Sequence, residues 1–314
     1  MARQGAWIDV YPFNGRKVSI YDSGRNFSLE GDLERYAKEL WQPKSEKGWK
    51  SSWIPFANYV TFEDKVVVYS GTMGFWQVDG AVKSIEEQKK FAPEQGFVHA
   101  LSVGFLTATK DSKVIFQRRP EGVHCPNTLI HEPCGYMASR NFVPNSVSDN
   151  PEYSHDPRLF DAYVQLEKKR EELANTFGVS AQDVNYVPTQ DFLAAGWLTK
   201  EMYFSTTGKI NAEQKNLKLP EKGEFIFVPF EHLKELIYHQ GRLSKVNPIG
   251  YRPSDSREIP LIDESLIGLI YGYENLTGEK LDVNETVERL NHDGLSIRVY
   301  DTSAGWGYKF PVKF

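Results

Sequence analysis

Two hydrophobic periods alternate along the chain. Residues 6–22, AWIDVYPFNGRKVSIYD, are two short apolar runs on either side of Asn14-Gly15. That dipeptide favours a tight reversal, so the pattern predicts a β-hairpin. EGDLERYAKELW (30–41) carries apolar residues at helical spacing and predicts an amphipathic helix. KVVVYSG (65–71) and GFWQVDG (74–80) are β-branched or aromatic runs closed by glycine, and they predict two strands. The charged stretch SIEEQKKFAPEQG (84–96) ends in proline and glycine and reads as a junction. Residues 1–96 are therefore expected to form a small N-terminal α+β domain.

From residue 97 the pattern changes. FVHALSVGFLTAT (97–109) is a long β-rich run, and KVIFQRRP (113–120) is a second strand with Arg118 and Arg119 at its end. A Pro-Cys-Gly turn follows in NTLIHEPCGYMASRNF (127–142), then a polar segment. The strongest helix signal starts near Asp156, which suits an N-cap, with Pro157 in the first turn. Leu159, Tyr163, Leu166, Leu173 and Phe177 recur on one face, and Gly178 closes the helix. Strands are expected in GWLTKEMYFST (196–206) and GEFIFVPF (223–230), and helices in EHLKELIYH (231–239) and IDESLIGLIYGYENL (262–276). The tail, residues 277–314, predicts one more helix and strands that join the N-terminal domain.

Composition narrows the classes. Of 314 residues, 40% are hydrophobic and 25% charged, as in a globular protein with a substantial core. A formal net charge of −5 gives no basic footprint for duplex DNA. No apolar run reaches the roughly 18 residues of a membrane span, and MARQGAWIDVYPF lacks the charged-then-apolar design of a signal peptide, so none is expected. Two cysteines exclude a disulfide scaffold, so a cytoplasmic protein with reduced thiols is expected.

The chemistry-bearing residues cluster in two places. His124, Cys125, His131 and Cys134 have a zinc-like composition, but His124 and Cys125 are adjacent and a strand-like run separates them from His131, so no zinc is expected. Arg118 and Arg119 carry planar donor forks suited to phosphate. On the long helix, Asp161, Gln165, Lys168, Lys169, Glu172 and Thr176 lie close together. One glutamate beside two lysines is a self-neutralising face and a poor cage for magnesium, which prefers several oxygen ligands in octahedral geometry. Trp76 and Trp197 are candidates for stacking on a nucleobase.

The order strand, Arg-bearing strand, Pro-x-Gly turn, helix ending in REELANTFGV, strand, strand with FVPFEHL, helix resembles the Nudix hydrolase superfamily over residues 97–276. Its signature is G-x5-E-x7-R-E-U-x-E-E-x-G-U, U being a bulky aliphatic. Gly135 matches the opening glycine, Glu172 the Glu of the Arg-Glu pair, Leu173 the aliphatic, and Gly178 with Val179 the closing pair. The departures are Asn141 for the first Glu, Glu171 for Arg, Asn175 and Thr176 for the metal-binding Glu pair, and a much longer spacer. The resemblance implies an α+β protein whose larger unit is a mixed-sheet α/β/α sandwich. It implies a nucleotide or nucleotide-derived small molecule as partner, bound through Arg118, Arg119, Gly135 and Lys168. Glu132, Glu171 and Glu172 are the candidate catalytic carboxylates. With the Glu pair missing, the expected protein binds a nucleoside-diphosphate-type ligand with weak or lost hydrolysis and no resident metal. The first alternative is an active pyrophosphohydrolase using magnesium at an atypical site, with Glu221 or Glu224 as a loop carboxylate. The second is a non-catalytic interaction module. No membrane partner is expected, and a homodimer is left open.

Overall fold

The computed structural model describes residues 8–16, 18–87, 89–90, 99–121, 128–137, 159–160, 162–186, 192–196, 201–220, 224–239, 261–303 and 305–309. The first described elements are β1 (Ile8–Pro12), β2 (Val18–Asn26), α1 (Gly31–Glu46), β3 (Trp53–Phe62), β4 (Val66–Gly74) and α2 (Phe75–Glu86). Then come β5 (His99–Thr109), β6 (Lys113–Arg118), β7 (Leu129–His131), β8 (Cys134–Tyr136), β9 (Leu159–Phe160) and α3 (Ala162–Phe177). The chain continues with β10 (Val184–Tyr186), β11 (Phe192–Gly196), β12 (Glu201–Ile210), β13 (Glu224–Pro229) and α4 (Leu233–His239). It finishes with α5 (Asp263–Thr277), α6 (Val283–His292), β14 (Ile297–Val299) and β15 (Trp306–Lys309). This is an α+β protein built on one large mixed sheet, whose main path is β14-β1-β11-β12-β5-β3-β4-β2-β9.

β5 is buried at every position and organises the sheet. Along one edge it pairs in parallel with β12, from Ala100↔Glu201 to Thr109↔Ile210. Its other edge is divided. β3 takes His99 and Ala100, β8 takes Ser102 to Gly104, and β6 takes Ala108. The sheet therefore forks along this strand, and β6 carries β13 and β7 away with it. Alternate side chains serve opposite cores. Leu106 and Ala108, with Tyr203 of β12, join the core around α5, and Leu101, Val103 and Phe105, with Phe204, join the other.

Helix α5 is buried along most of its length because its sequence is apolar on nearly every side. It approaches β12 closely at Gly272, where an added Cβ would lie 2.7 Å from Thr207 Cγ2. α3 covers the fork from the other direction, burying Leu173, Ala174 and Phe177 against Ile115, Val184, Ile210 and Phe227. The first and last segments share the same sheet: β1 pairs with β11 and β14, and β15 pairs with β3. Among the described residues no helix is long and apolar enough to cross a membrane.

Three expectations are corrected. Asn14 and Gly15 do turn the chain, with φ of 52° and 78°. The flanking strands do not form a hairpin, because β11 and β14 fill the edges of β1 while β4 and β9 fill those of β2. GFWQVDG is not a strand but the start of α2. Gln77 Oε1 accepts the Gly74 N–H at 2.9 Å and starts the helix, and Val78, Ala81 and Val82 then bury with Ala37 of α1. Gly80 is no turn signal either, since an added Cβ would lie 2.2 Å from Ala37 Cβ, so it is the contact point between two helices. The long helix starts at Ala162, because Leu159 and Phe160 form a strand on Tyr21 and Ile20 of β2. Its closure at Gly178 is as the sequence reads, with φ of 65°. Asp156 and Pro157 lie outside the described residues.

Gly80→Val should lower stability by about 1–3 kcal/mol, the usual cost of overpacking. Urea unfolding measures it. An unchanged midpoint would mean that α1 and α2 do not meet at Gly80.

Candidate functional site

The Pro-Cys-Gly turn sits at the fork of the sheet. β7 pairs with β6, placing His131 opposite Phe116. Three residues later β8 pairs with β5, placing Cys134 opposite Gly104. Between them the chain passes through Glu132 and Pro133, joined by a cis peptide bond. Two β5 donors hold this passage: Thr107 Oγ1 donates to Glu132 O at 2.8 Å and Phe105 N to Pro133 O at 2.9 Å. Gly104 leaves room for it, because a Cβ there would lie 2.6 Å from His131 Nε2 and 2.9 Å from Pro133 O.

Behind the turn, His131 is fully buried. Its Nδ1 lies 2.8 Å from Ser265 Oγ of α5, and its Nε2 bonds the Tyr203 hydroxyl. Burial lowers the imidazole pKa to about 3 and raises the Tyr203 phenol well above its usual value. Both are therefore neutral, so the phenol O–H donates to Nε2 and Nδ1–H donates to Ser265. Both ring nitrogens are thus engaged away from any metal. His124 and Cys125 lie outside the described residues.

In front of the turn lies α3. Lys169 Nζ donates to Cys134 O at 3.2 Å and pairs with Glu172 Oε2 at 2.8 Å. An added Cβ on Gly135, whose φ is 154°, would stand 3.2 Å from that ammonium. Helix phase selects Lys169: it stands one turn before the buried Leu173 and shares its face. Lys168, Glu171 and Glu172 are exposed, with the Glu172 carboxylate reaching back to Lys169.

The same turn concentrates charge effects. Burial raises the Glu132 carboxyl to about 7, with Glu172 reinforcing and Lys169 and Arg119 opposing. Burial also raises the Cys134 thiol, helped by Glu132 and Glu201. The Tyr136 phenol is raised by burial first and by Glu201 next. Arg118 behaves differently from its neighbour. It faces Glu224 across the β6–β13 pair, 3.3 Å away, so these two side chains neutralise one another. Trp76 packs against the core of α1 and α2, and Glu221 and Trp197 lie outside the described residues.

Of the sequence candidates, Glu132 and Gly135 form the turn, Glu172 is linked to it through Lys169, and Arg119 acts on Glu132 through its charge, whereas Arg118 pairs at the strand end and Lys168 and Glu171 are exposed. Lys169 is the one of the two lysines expected beside Glu172 that makes the pair and reaches the turn. Glu201, Tyr136, Tyr203 and Ser265 are the additions. Glu201 and Ser265 arrive through sheet pairing and helix packing, which no short motif encodes.

No protein-family model matches the chain, and no curated protein matches it. Among solved structures it is similar to a Nudix hydrolase from M. Smegmatis, RenU, at 15% identity over 44% of this chain and 74% of that chain, with a TM-score of 0.26. A TM-score of that size does not define a shared fold.

Two outcomes are expected. The folded Glu132 carboxyl titrates near 7 against an ordinary value of 4.5. The folded form therefore holds its proton longer, and ionisation costs stability as pH rises from 4.5 through about 7. Glu132→Gln should match wild type near pH 4 and exceed it above pH 7, gaining up to about 1.4 kcal/mol per pH unit of that window. Parallel stability curves for the two proteins would refute it. Gly104→Ala should push the turn off β5 and cost about 1–3 kcal/mol in chemical unfolding. A neutral result would mean that the turn does not press on this strand.

Proposed function

We propose that residues 97–276 form a Nudix-like unit that binds a nucleoside-diphosphate-type ligand and hydrolyses it weakly or not at all. Residues 1–96 and 277–314 lie beside it through shared sheet edges. The observation that carries this reading is the contact between the two halves of the signature. Gly135 and Glu172 are far apart in sequence, and Lys169 bridges the turn of one to the helix of the other. A loop packed on such a helix is the arrangement the signature serves, whatever the length of the spacer. Arg119 and Lys169 supply the cations that a phosphate-bearing ligand requires. Asn175 and Thr176, in place of the Glu pair, carry no charge to gather a metal ion, which supports weak or lost hydrolysis.

One observation favours a second reading, an active hydrolase with an unconventional site. A carboxyl titrating near 7 suits a general base at neutral pH. A screen decides between them. ADP-ribose, nucleotide sugars and dinucleoside polyphosphates are offered with magnesium to wild type and Glu172→Gln, following both binding and turnover. Saturable binding with little or no turnover is expected. Rapid wild-type turnover abolished in the variant would establish the active enzyme, and no binding to any compound would defeat both readings.

A further inference from the structure

A Nudix-type hydrolase implies magnesium held by carboxylates, and the residues at this turn can be tested against that requirement. They do not fit it. Magnesium needs charge-compensating oxygens at about 2.0–2.1 Å in octahedral array. Glu172 Oε2 is engaged 2.8 Å from an ammonium. The next position on its face is Thr176, and Asn175 beside it is exposed and uncharged. Glu132 is partly buried, and its carboxyl holds a proton up to about pH 7. Among the described residues no group of three or more His, Cys, Asp or Glu is arranged to hold a metal ion.

What stands there instead is Lys169. Its side chain is only 15% exposed. Its position is fixed from three sides. Glu172 accepts from it on α3, Cys134 O accepts from it on β8, and the missing side chain of Gly135 gives it space. It also acts electrostatically on Glu132, favouring the ionised carboxylate.

We propose that the Lys169 ammonium is the built-in counter-cation of this site, lying between Glu172 and the Glu132–Gly135 turn where a divalent ion would have to sit and excluding that ion. The proposal rests on the Nudix-like reading of the turn and α3. A tethered ammonium carries one charge where magnesium carries two and cannot act as a strong Lewis acid. It can still donate to an oxygen anion, and of its three N–H donors Glu172 and Cys134 take two. The ligand class that follows is a phosphate-bearing anion bound without a divalent metal. The arrangement also explains why the helix tolerates Asn175 and Thr176, since the charge at Glu172 is answered from within its own helix, three residues earlier.

The test uses Mn2+ alone as the probe, titrated into the full chain and followed by electron paramagnetic resonance and calorimetry. Ligand binding is not part of the readout, so failure here is separate from failure of the proposed function. Wild type is expected to show no saturable Mn2+ site that depends on Glu172. Lys169→Met and Lys169→Gln should each gain one, tightening Mn2+ binding roughly tenfold or more over wild type. Adding Glu172→Gln to either variant should abolish the gain. Lys169→Gln keeps a donor for Cys134 O and guards against a folding defect, which circular dichroism monitors. A wild-type Mn2+ site that Glu172→Gln weakens roughly tenfold would overturn the proposal. So would folded Lys169 variants with no gain.

Discussion

The division of one edge of β5 is the constraint on which the rest of the molecule depends. Its other edge is filled without interruption by β12 over ten residue pairs. Its divided edge must serve β3, β8 and β6 in turn. Buried backbone donors and acceptors demand partners, so the chain has to deliver three separate strands to one strand's edge. The Glu132–Pro133 passage is where it moves from β7 on β6 to β8 on β5. Its carbonyls are taken up by Thr107 and Phe105 of that same strand. Glycine at 104 follows from the same crowding, because the imidazole of His131 and the backbone of Pro133 fill the space a side chain would need.

Burying a turn at a fork has an electrostatic price. Glu132 and Cys134 lose water there, and both shift toward their neutral forms. Lys169 and Arg119 offset part of that penalty at the carboxyl. A lysine that is mostly buried would itself be unstable without an anion, and Glu172 provides one on the adjacent turn. The turn, α3 and the two charges thus form one unit, and a change in any of them reaches the others. The neutral chain Ser265–His131–Tyr203 behind the turn ties this unit to α5 and β12 by hydrogen bonds that involve no net charge.

How much of this was legible in the sequence depends on the range of the determining interaction. The end of α3 was legible, because Leu173, Phe177 and Gly178 carry helix phase and helix stop within a few residues. The reversal at Asn14-Gly15 was legible as a turn, but its strands' partners were not, since β11, β14, β4 and β9 lie far away in sequence. Gly80 misled as punctuation because a glycine at a helix crossing and a glycine at a turn look alike without the partner helix. The choice between Lys168 and Lys169 hung on a single residue of helix phase, fixed only by the burial of Leu173. Gly135 and Glu172 were found through the signature and Glu132 through the family resemblance of the turn it precedes, while Glu201 and Ser265 depended on sheet order and helix packing.

The central claim is that an ammonium fills the cation position between α3 and the turn. A crystal structure of the wild-type protein grown with Mn2+, with an anomalous difference map, tests it most directly. The account predicts Lys169 Nζ within hydrogen-bond distance of both Glu172 and Cys134 O, and no anomalous peak bound to the Glu172 carboxylate. A strong peak coordinated by Glu172, with Lys169 swung away from the turn, would contradict it.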